Sequence, residues 1–248
     1  MKVAVCVSGV CKGGNPNNSL IRNNTILKNK FSDADFYYAT WNDYSDEFKK
    51  TFPNEICQYF TQPTMDYHPY DIPKIYHISP FYQETVNWIN KGGTKRREWS
   101  SHHTKQILIH TWLLSTIEKE YDVIVRTRFD GFIHSNANFS TYLEDTFKHH
   151  RANCFGATRK HLFDQLREVD MSPKSLHSNW ILDQLIIHNS DAIDIDKVNL
   201  LHKEKRLHAA EYGWYQVISM HNGSNHINHS GWVNHDKNVL DKFLQENK

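Results

Sequence analysis

The ten residues from Tyr121 to Asp130 narrow the folds open to this chain more than any other stretch. An amphipathic segment, Gln106 to Glu120, is read as a helix and leads straight into them. Val123, Ile124 and Val125 are consecutive and β-branched, as in a strand buried on both faces. Arg126, Arg128 and Asp130 follow at once, where such a strand must leave the sheet. Side chains alternate along an extended chain, so these three share one face while Thr127 and Phe129 take the other. Charge massed at the carboxyl end of a buried strand is the pattern of an α/β sheet with a ligand site at that edge. Two guanidiniums and a carboxylate suit a ligand that carries phosphate, with or without a metal. The expectation is an enzyme acting on an activated, phosphate-bearing substrate.

The remaining pattern agrees with such a sheet. Lys2 to Ser8 is a β-branched run that breaks at Gly9 and passes into Lys12-Gly13-Gly14. A helix to Lys30 follows, with Asn17 or Asn18 as its cap. Asp35–Trp41 reads as a second strand and Glu55–Phe60 as a third, so the start of the chain is a βαβ unit. Residues 61–78, rich in proline and tyrosine, read as a long surface excursion. Ser79-Pro80 opens a helix that Gly92-Gly93 would end. In the helix reaching Glu120, Ile107, Leu114, Ile117 and Tyr121 form an apolar stripe with Leu113 beside it, read as core. Further on, Cys154–Gly156 is a short strand and His161 to Glu168 a helix. Trp180 to Ile187 is a buried segment interrupted by Asp183 and Gln184. Asn189 to Asp191 caps a helix toward Leu201, Glu211 to Met220 is a last strand, and Asn234 to Gln245 a terminal helix.

Bulk properties exclude several classes. With 29 basic and 28 acidic residues among 248, the chain has no field of the kind a nucleic-acid binder carries. Its one dense basic run, Lys95 to Arg97, reads as a solvated loop, with a phosphate contact as the other reading. No segment approaches the ~18 consecutive apolar residues of a membrane span. The apolar start, Val3 to Val10, is short and alternates like a strand, unlike a signal peptide. Cys6, Cys11, Cys57 and Cys154 are scattered, which fits reduced thiols and a cytoplasmic setting.

Several motifs occur together in one known group. Ser8-Gly9 with Lys12 after the first strand, Thr40-Trp41 closing the second, the run Tyr-Asp-x-x-x-Arg-x-Arg-x-Asp from Tyr121 to Asp130, and Asp183-Gln184 appear here in that order. In these the chain resembles small nucleotide-sugar-dependent glycosyltransferases of the GT-A type, found in bacteria, phages and large DNA viruses. The likeness covers most of residues 1–200. It implies a Rossmann-like, mixed but mostly parallel sheet flanked by helices, as one domain over 1–248. Residues to about 130 would form the nucleotide-sugar half and the remainder the acceptor-side half. For a viral chain the setting would be host cytoplasm.

The resemblance further implies roles for particular residues. Ser8, Gly9, Lys12, Trp41, Gln106, Arg126 and Arg128 would contact the donor, with Lys12 and the arginines on its diphosphate. GT-A enzymes commonly place Asp-x-Asp at the end of the fourth strand to hold Mn²⁺ or Mg²⁺ and the donor sugar. Here that triplet is Arg128-Phe129-Asp130. Either Asp130 and the diphosphate hold a metal, or Arg128 takes over part of the cation's work. A C-terminal histidine can complete such a metal shell, and His229 and His226 are candidates among 17 histidines.

Transfer from a nucleotide sugar needs positive charge on the departing diphosphate and usually a base for the acceptor hydroxyl. Asp183 lies among apolar residues, where an unpartnered carboxylate is costly, and is read as that base or as an acceptor-positioning group. The acceptor would be a glycan, glycoprotein or other hydroxyl compound. Two other readings stay open. One is a metal-assisted glycoside or phosphoester hydrolase, which needs a second acid beside Asp130. The other is a binding module for nucleotide or carbohydrate that has lost its chemistry.

Overall fold

A computed structural model describes residues 1–12, 19–69, 91, 93–156, 181–208, 210–220, 222–230 and 233–235. Its centre is β1 (Val3–Gly9), whose Val5 and Val7 face one layer and Ala4, Cys6 and Ser8 the other, all fully or almost fully buried. After α1 (Ser19–Lys30) the chain returns as β2 (Asp35–Trp41), parallel to β1. A 3-10 turn and α2 (Ser45–Thr51) then lead to β3 (Cys57–Phe60), parallel to β2. The long α3 (Gly93–Ser115) carries the chain back across to β4 (Val123–Thr127), on the other side of β1.

Beyond β4 come a short β5 (Gly131–Ile133), α4 (Ser140–His149) and β6 (Arg151–Gly156). They are followed by β7 (Leu185–Asn189), α5 (Ile195–Lys203), α6 (Ala210–Tyr215), a π turn over Gln216–Met220, β8 (Asn225–Ser230) and β9 (Val233–His235). The main sheet has the order β3-β2-β1-β4-β7-β6-β8, and β7 runs against the other six. The mixed, mostly parallel sheet flanked by helices is therefore as expected. β5 pairs with β9 in a separate ribbon.

Side-chain size explains how the layers close. Ala4, Cys6 and Ala39 present a low surface on one face, over which Ile109 and Leu113 of α3 pack, while Ile107 and Leu108 pack against Ile186, Cys154 and Trp214. The opposite face is aromatic: Tyr38, Phe48, Phe52, Phe129, Phe139 and Phe155 close over Val5, Val7, Val125 and Leu185. Among the described residues no helix is long and apolar enough to cross a membrane.

Several boundaries differ from expectation for identifiable reasons. α3 begins at Gly93, so Lys95 to Arg97 lie in a helix, not a loop. It ends at Ser115, five residues before Glu120, because Ser115 and Thr116 hydroxyls donate to the Trp112 and Leu113 carbonyls and close the last turn. Glu211 to Met220 is helical rather than a strand. Its β-branched look misleads, since the buried Trp214, Val217 and Ile218 follow i, i+3, i+4 spacing. The helix expected from Asn189 starts at Ile195, capped by Asp194, whose side chain accepts from the Lys197 amide at 3.0 Å. Asn234 and His235 belong to β9 and not to a terminal helix. The Asn17/Asn18 cap, the helix from Ser79 and that over 161–168 fall outside the described residues.

Candidate active site at the carboxyl edge of the sheet

Connections from β1 lead one way to β2 and β3, while β4 lies on the other side of β1. That reversal opens a crevice at the carboxyl ends of β1 and β4, where open α/β sheets bind ligands. Because β7 runs backwards, its amino end meets the carboxyl end of β4, with Thr127 opposite Leu185. Asp183 and Gln184 are thereby delivered to the same edge. The Thr127 hydroxyl fastens the junction by donating to the Gln184 carbonyl at 3.0 Å.

The two arginines have different situations. Arg126, still inside β4, is wholly buried. Its guanidinium lies 4.6 Å from the centre of the Trp214 ring. Nη1 donates to the Asp183 carbonyl, and Nη2 to Gln106 Oε1 at 3.2 Å. Burial draws its pKa down to about 10, opposed by the Asp183 carboxylate, so it stays charged at neutral pH. Arg128, just past the strand, is 11% exposed and grips Asp130 as a fork: Nε and Nη2 each donate at 2.7 Å to a different carboxylate oxygen. Its third nitrogen, Nη1, reaches Asp183 Oδ2 at 3.5 Å. Asp130 and Asp183, 53 residues apart in sequence, are joined through one guanidinium.

The other predicted contacts divide. Ser8 is fully buried on the Arg126 face, and its hydroxyl has no hydrogen-bond partner among the described residues. Arg126 Nε is likewise unpartnered there. Two buried donors on adjacent strands, without partners among the described residues, are what a bound ligand would satisfy. Gly9 turns the chain out of the sheet with φ 126°, a conformation suited to glycine. Thr40 Oγ1 holds that turn, donating to the Gly9 carbonyl at 2.9 Å and accepting from the Cys11 amide at 3.4 Å. Lys12 is exposed at this exit and takes no part in the hydrogen bonds of the arginine cluster. Trp41 is buried edge-on against Trp112, and the core accounts for its ring.

His229 and His226 sit on β8, three strands from β4, or ~14 Å at the usual strand spacing. His229 hydrogen-bonds Asn153 at 2.8 Å and stacks on Phe155; His226 pairs with Ser219 at 2.7 Å. The β5–β9 ribbon instead sets the backbone of His235 opposite Gly131, the residue after Asp130. Sequence reading had no signal for this pairing, because both strands are three residues long.

Behind Arg126 lies a pair it did not anticipate, His110 of α3 and His188 of β7, both fully buried. His188 Nδ1 bonds the Asn189 carbonyl at 2.7 Å and so must carry the proton. Its Nε2 then accepts from His110 Nε2 at 3.3 Å, and both rings are neutral. Burial draws His188 down to about 4, and burial together with His188 and Arg126 holds His110 well below its usual range. The unfolded chain therefore takes up protons that the folded one refuses, between the ordinary value of 6.5 and about 4. Stability from this pair is complete above pH 6.5 and is lost as pH falls toward 4, on the order of 3 kcal/mol from His188 alone. Urea unfolding at pH 7, 5.5 and 4.5 should show that decline, and His188→Asn should flatten it. An equal slope in the variant would remove His188 as its source.

No protein-family model matches the sequence, and no curated protein matches it significantly. Among solved structures, a nucleoside-diphosphate-sugar pyrophosphorylase from Vibrio cholerae RC9 aligns with TM-score 0.47 at 12% identity, over 98% of this chain and 99% of that one. The galactosyltransferase LgtC, in complex with donor and acceptor sugar analogs, aligns with TM-score 0.40 at 10% identity, over 87% and 69%. A glycosyltransferase involved in glycosylating the major capsid of PBCV-1 gives 0.41 at 8%, over 99% and 100%. At these scores and identities the neighbours carry no argument about chemistry, which rests on the cluster itself.

Proposed function

We propose that the chain is a glycosyltransferase moving a sugar from a nucleoside-diphosphate sugar to a hydroxyl of a glycan or related acceptor. The observation that carries this is the assembly of Arg126, Arg128, Asp130 and Asp183 at the switch point of the sheet, with the Ser8 hydroxyl buried on the same face and without a partner among the described residues. In the reaction the anomeric C–O bond to phosphate breaks and its electron pair leaves with the diphosphate. A bond forms from the acceptor oxygen to the anomeric carbon, and the acceptor proton passes to a base. Arg128, the more exposed arginine, takes the diphosphate with Lys12 assisting; Asp130 orders the donor sugar. Asp183 receives the acceptor proton or positions the acceptor hydroxyl. Arg126 and Gln106 act behind them, and Ser8 and Gly9 line the donor's approach.

A divalent metal does not fit this donor set as it stands. Both oxygens of Asp130 accept from Arg128. Among the described residues no three His, Cys, Asp or Glu side chains gather as ligands. Mn²⁺ or Mg²⁺ bound elsewhere on the diphosphate would add charge to the leaving group, but no step above depends on it.

Hydrolysis is the second reading, and one observation favours it: Asp130 has an acidic neighbour in Asp183. Release of nucleoside diphosphate that rises with added acceptor supports transfer; release indifferent to every acceptor supports hydrolysis. Asp130→Ala should lower nucleotide-sugar turnover at least ~100-fold, as loss of a group acting on the reacting centre does. It should leave the protein folded, since Asp130 lies past the strand and is partly exposed, and circular dichroism checks this. Undiminished turnover would remove Asp130 from the site.

A further inference from the structure

The geometry points to Arg128 as the cation of the donor site, so that the nucleoside diphosphate binds without a divalent metal. This rests on the glycosyltransferase reading and deepens it. All three guanidinium nitrogens of Arg128 are directed at carboxylates: Nε and Nη2 at Asp130, both at 2.7 Å, and Nη1 at Asp183, at 3.5 Å. The first two form a matched fork, while the third is a long contact that a better acceptor can replace.

Arg126 stands behind, fixed by Trp214, Gln106 and the Asp183 carbonyl. Two guanidiniums and two carboxylates leave the cluster without net charge. A divalent ion entering there would meet two arginines and would have to break the fork to reach Asp130. A diphosphate needs no such disruption. Its oxygens take Nη1 while Nε and Nη2 keep Asp130, a planar guanidinium being suited to bridging two oxyanions. The buried Ser8 hydroxyl, unpartnered among the described residues, supplies a further donor on that face.

The exchange has a consequence for Asp183. Once Nη1 turns to phosphate, the Asp183 carboxylate gives up that one contact. Donor binding thereby prepares the group that acts on the acceptor.

The full chain should be titrated calorimetrically with UDP, GDP, CDP and dTDP, each in EDTA and again in Mn²⁺. One diphosphate is expected to bind with the same Kd, within about twofold, in both. Electron paramagnetic resonance of Mn²⁺ should show no ion captured by the protein. Arg128→Ala should weaken that diphosphate at least tenfold. Arg128→Asp, which adds a third carboxylate beside Asp130 and Asp183, should abolish binding in EDTA and make it depend on Mn²⁺. Circular dichroism and melting establish that each variant is folded, and the native comparison stands without them. Native binding that vanishes in EDTA would overturn this inference and leave the glycosyltransferase reading in place. Failure of every diphosphate under both conditions would overturn the two together.

Discussion

Arg126→Leu is expected to lower the unfolding free energy by about 3–5 kcal/mol, the range for removing one partner of a buried charged cluster. Arg126 is wholly buried, and three contacts depend on it. The Asp183 carbonyl and Gln106 Oε1 would each lose a charged donor. The Asp183 carboxylate, 7% exposed, would keep its ion pair with Arg128. The Trp214 ring would lose a cation 4.6 Å from its centre, a contact worth roughly 2 kcal/mol when desolvated. Leucine restores some apolar contact with Trp214 but supplies none of the hydrogen bonds. Arg126→Lys keeps the charge, yet a single ammonium cannot span the Asp183 carbonyl and Gln106 as two guanidinium nitrogens do, so it should recover only part of the loss. Equilibrium urea unfolding of the three proteins measures this. A leucine variant within 1 kcal/mol of native would show that the cluster stands without Arg126.

That result would also bear on what the sequence could reveal. The parallel half of the sheet was legible because β1, β2 and β4 are runs of β-branched and aromatic residues, and hydropathy alone marks a strand buried on both sides. β8 was not legible. Its Asn225-His-Ile-Asn-His-Ser run is polar, and it is held by bonds made in three dimensions: Asn228 to the Leu182 amide, His226 to Ser219 and His229 to Asn153. The polar helix α4, with Thr146 alone fully buried among its described side chains, escaped for the same reason.

The site divides likewise. Alternation along β4 correctly grouped Arg126 with Arg128, but a period of two does not tell which of them the sheet covers. The approach of Asp183 to Asp130 depends on the reversed direction of β7, which no local pattern encodes. Trp41 closes a strand at the ligand edge and so invites a stacking role, yet the ring belongs to the packing of α3.

Asp183→Asn provides the sharpest division of roles within the cluster. The substitution preserves shape and an oxygen for Arg128 Nη1 while removing the charge and the capacity to take a proton. If Asp183 is the base, kcat should fall by about 10²–10⁴, the usual contribution of a positioned proton acceptor. KM for the donor should stay within a few-fold, because the Arg128–Asp130 fork is untouched. The acid limb of the pH–rate profile should disappear with it. A group that only positions the acceptor gives another signature: KM for the acceptor rises, kcat falls little, and the acid limb remains. Stability separates both from a purely structural role. Asp183 is buried between two arginines, so neutralising it leaves Arg126 and Arg128 less compensated and should cost about 1–3 kcal/mol in urea unfolding. An Asn variant that is destabilised by that amount and still turns over at the native rate would make Asp183 a counter-ion for the arginines and send the search for the base elsewhere along the same edge.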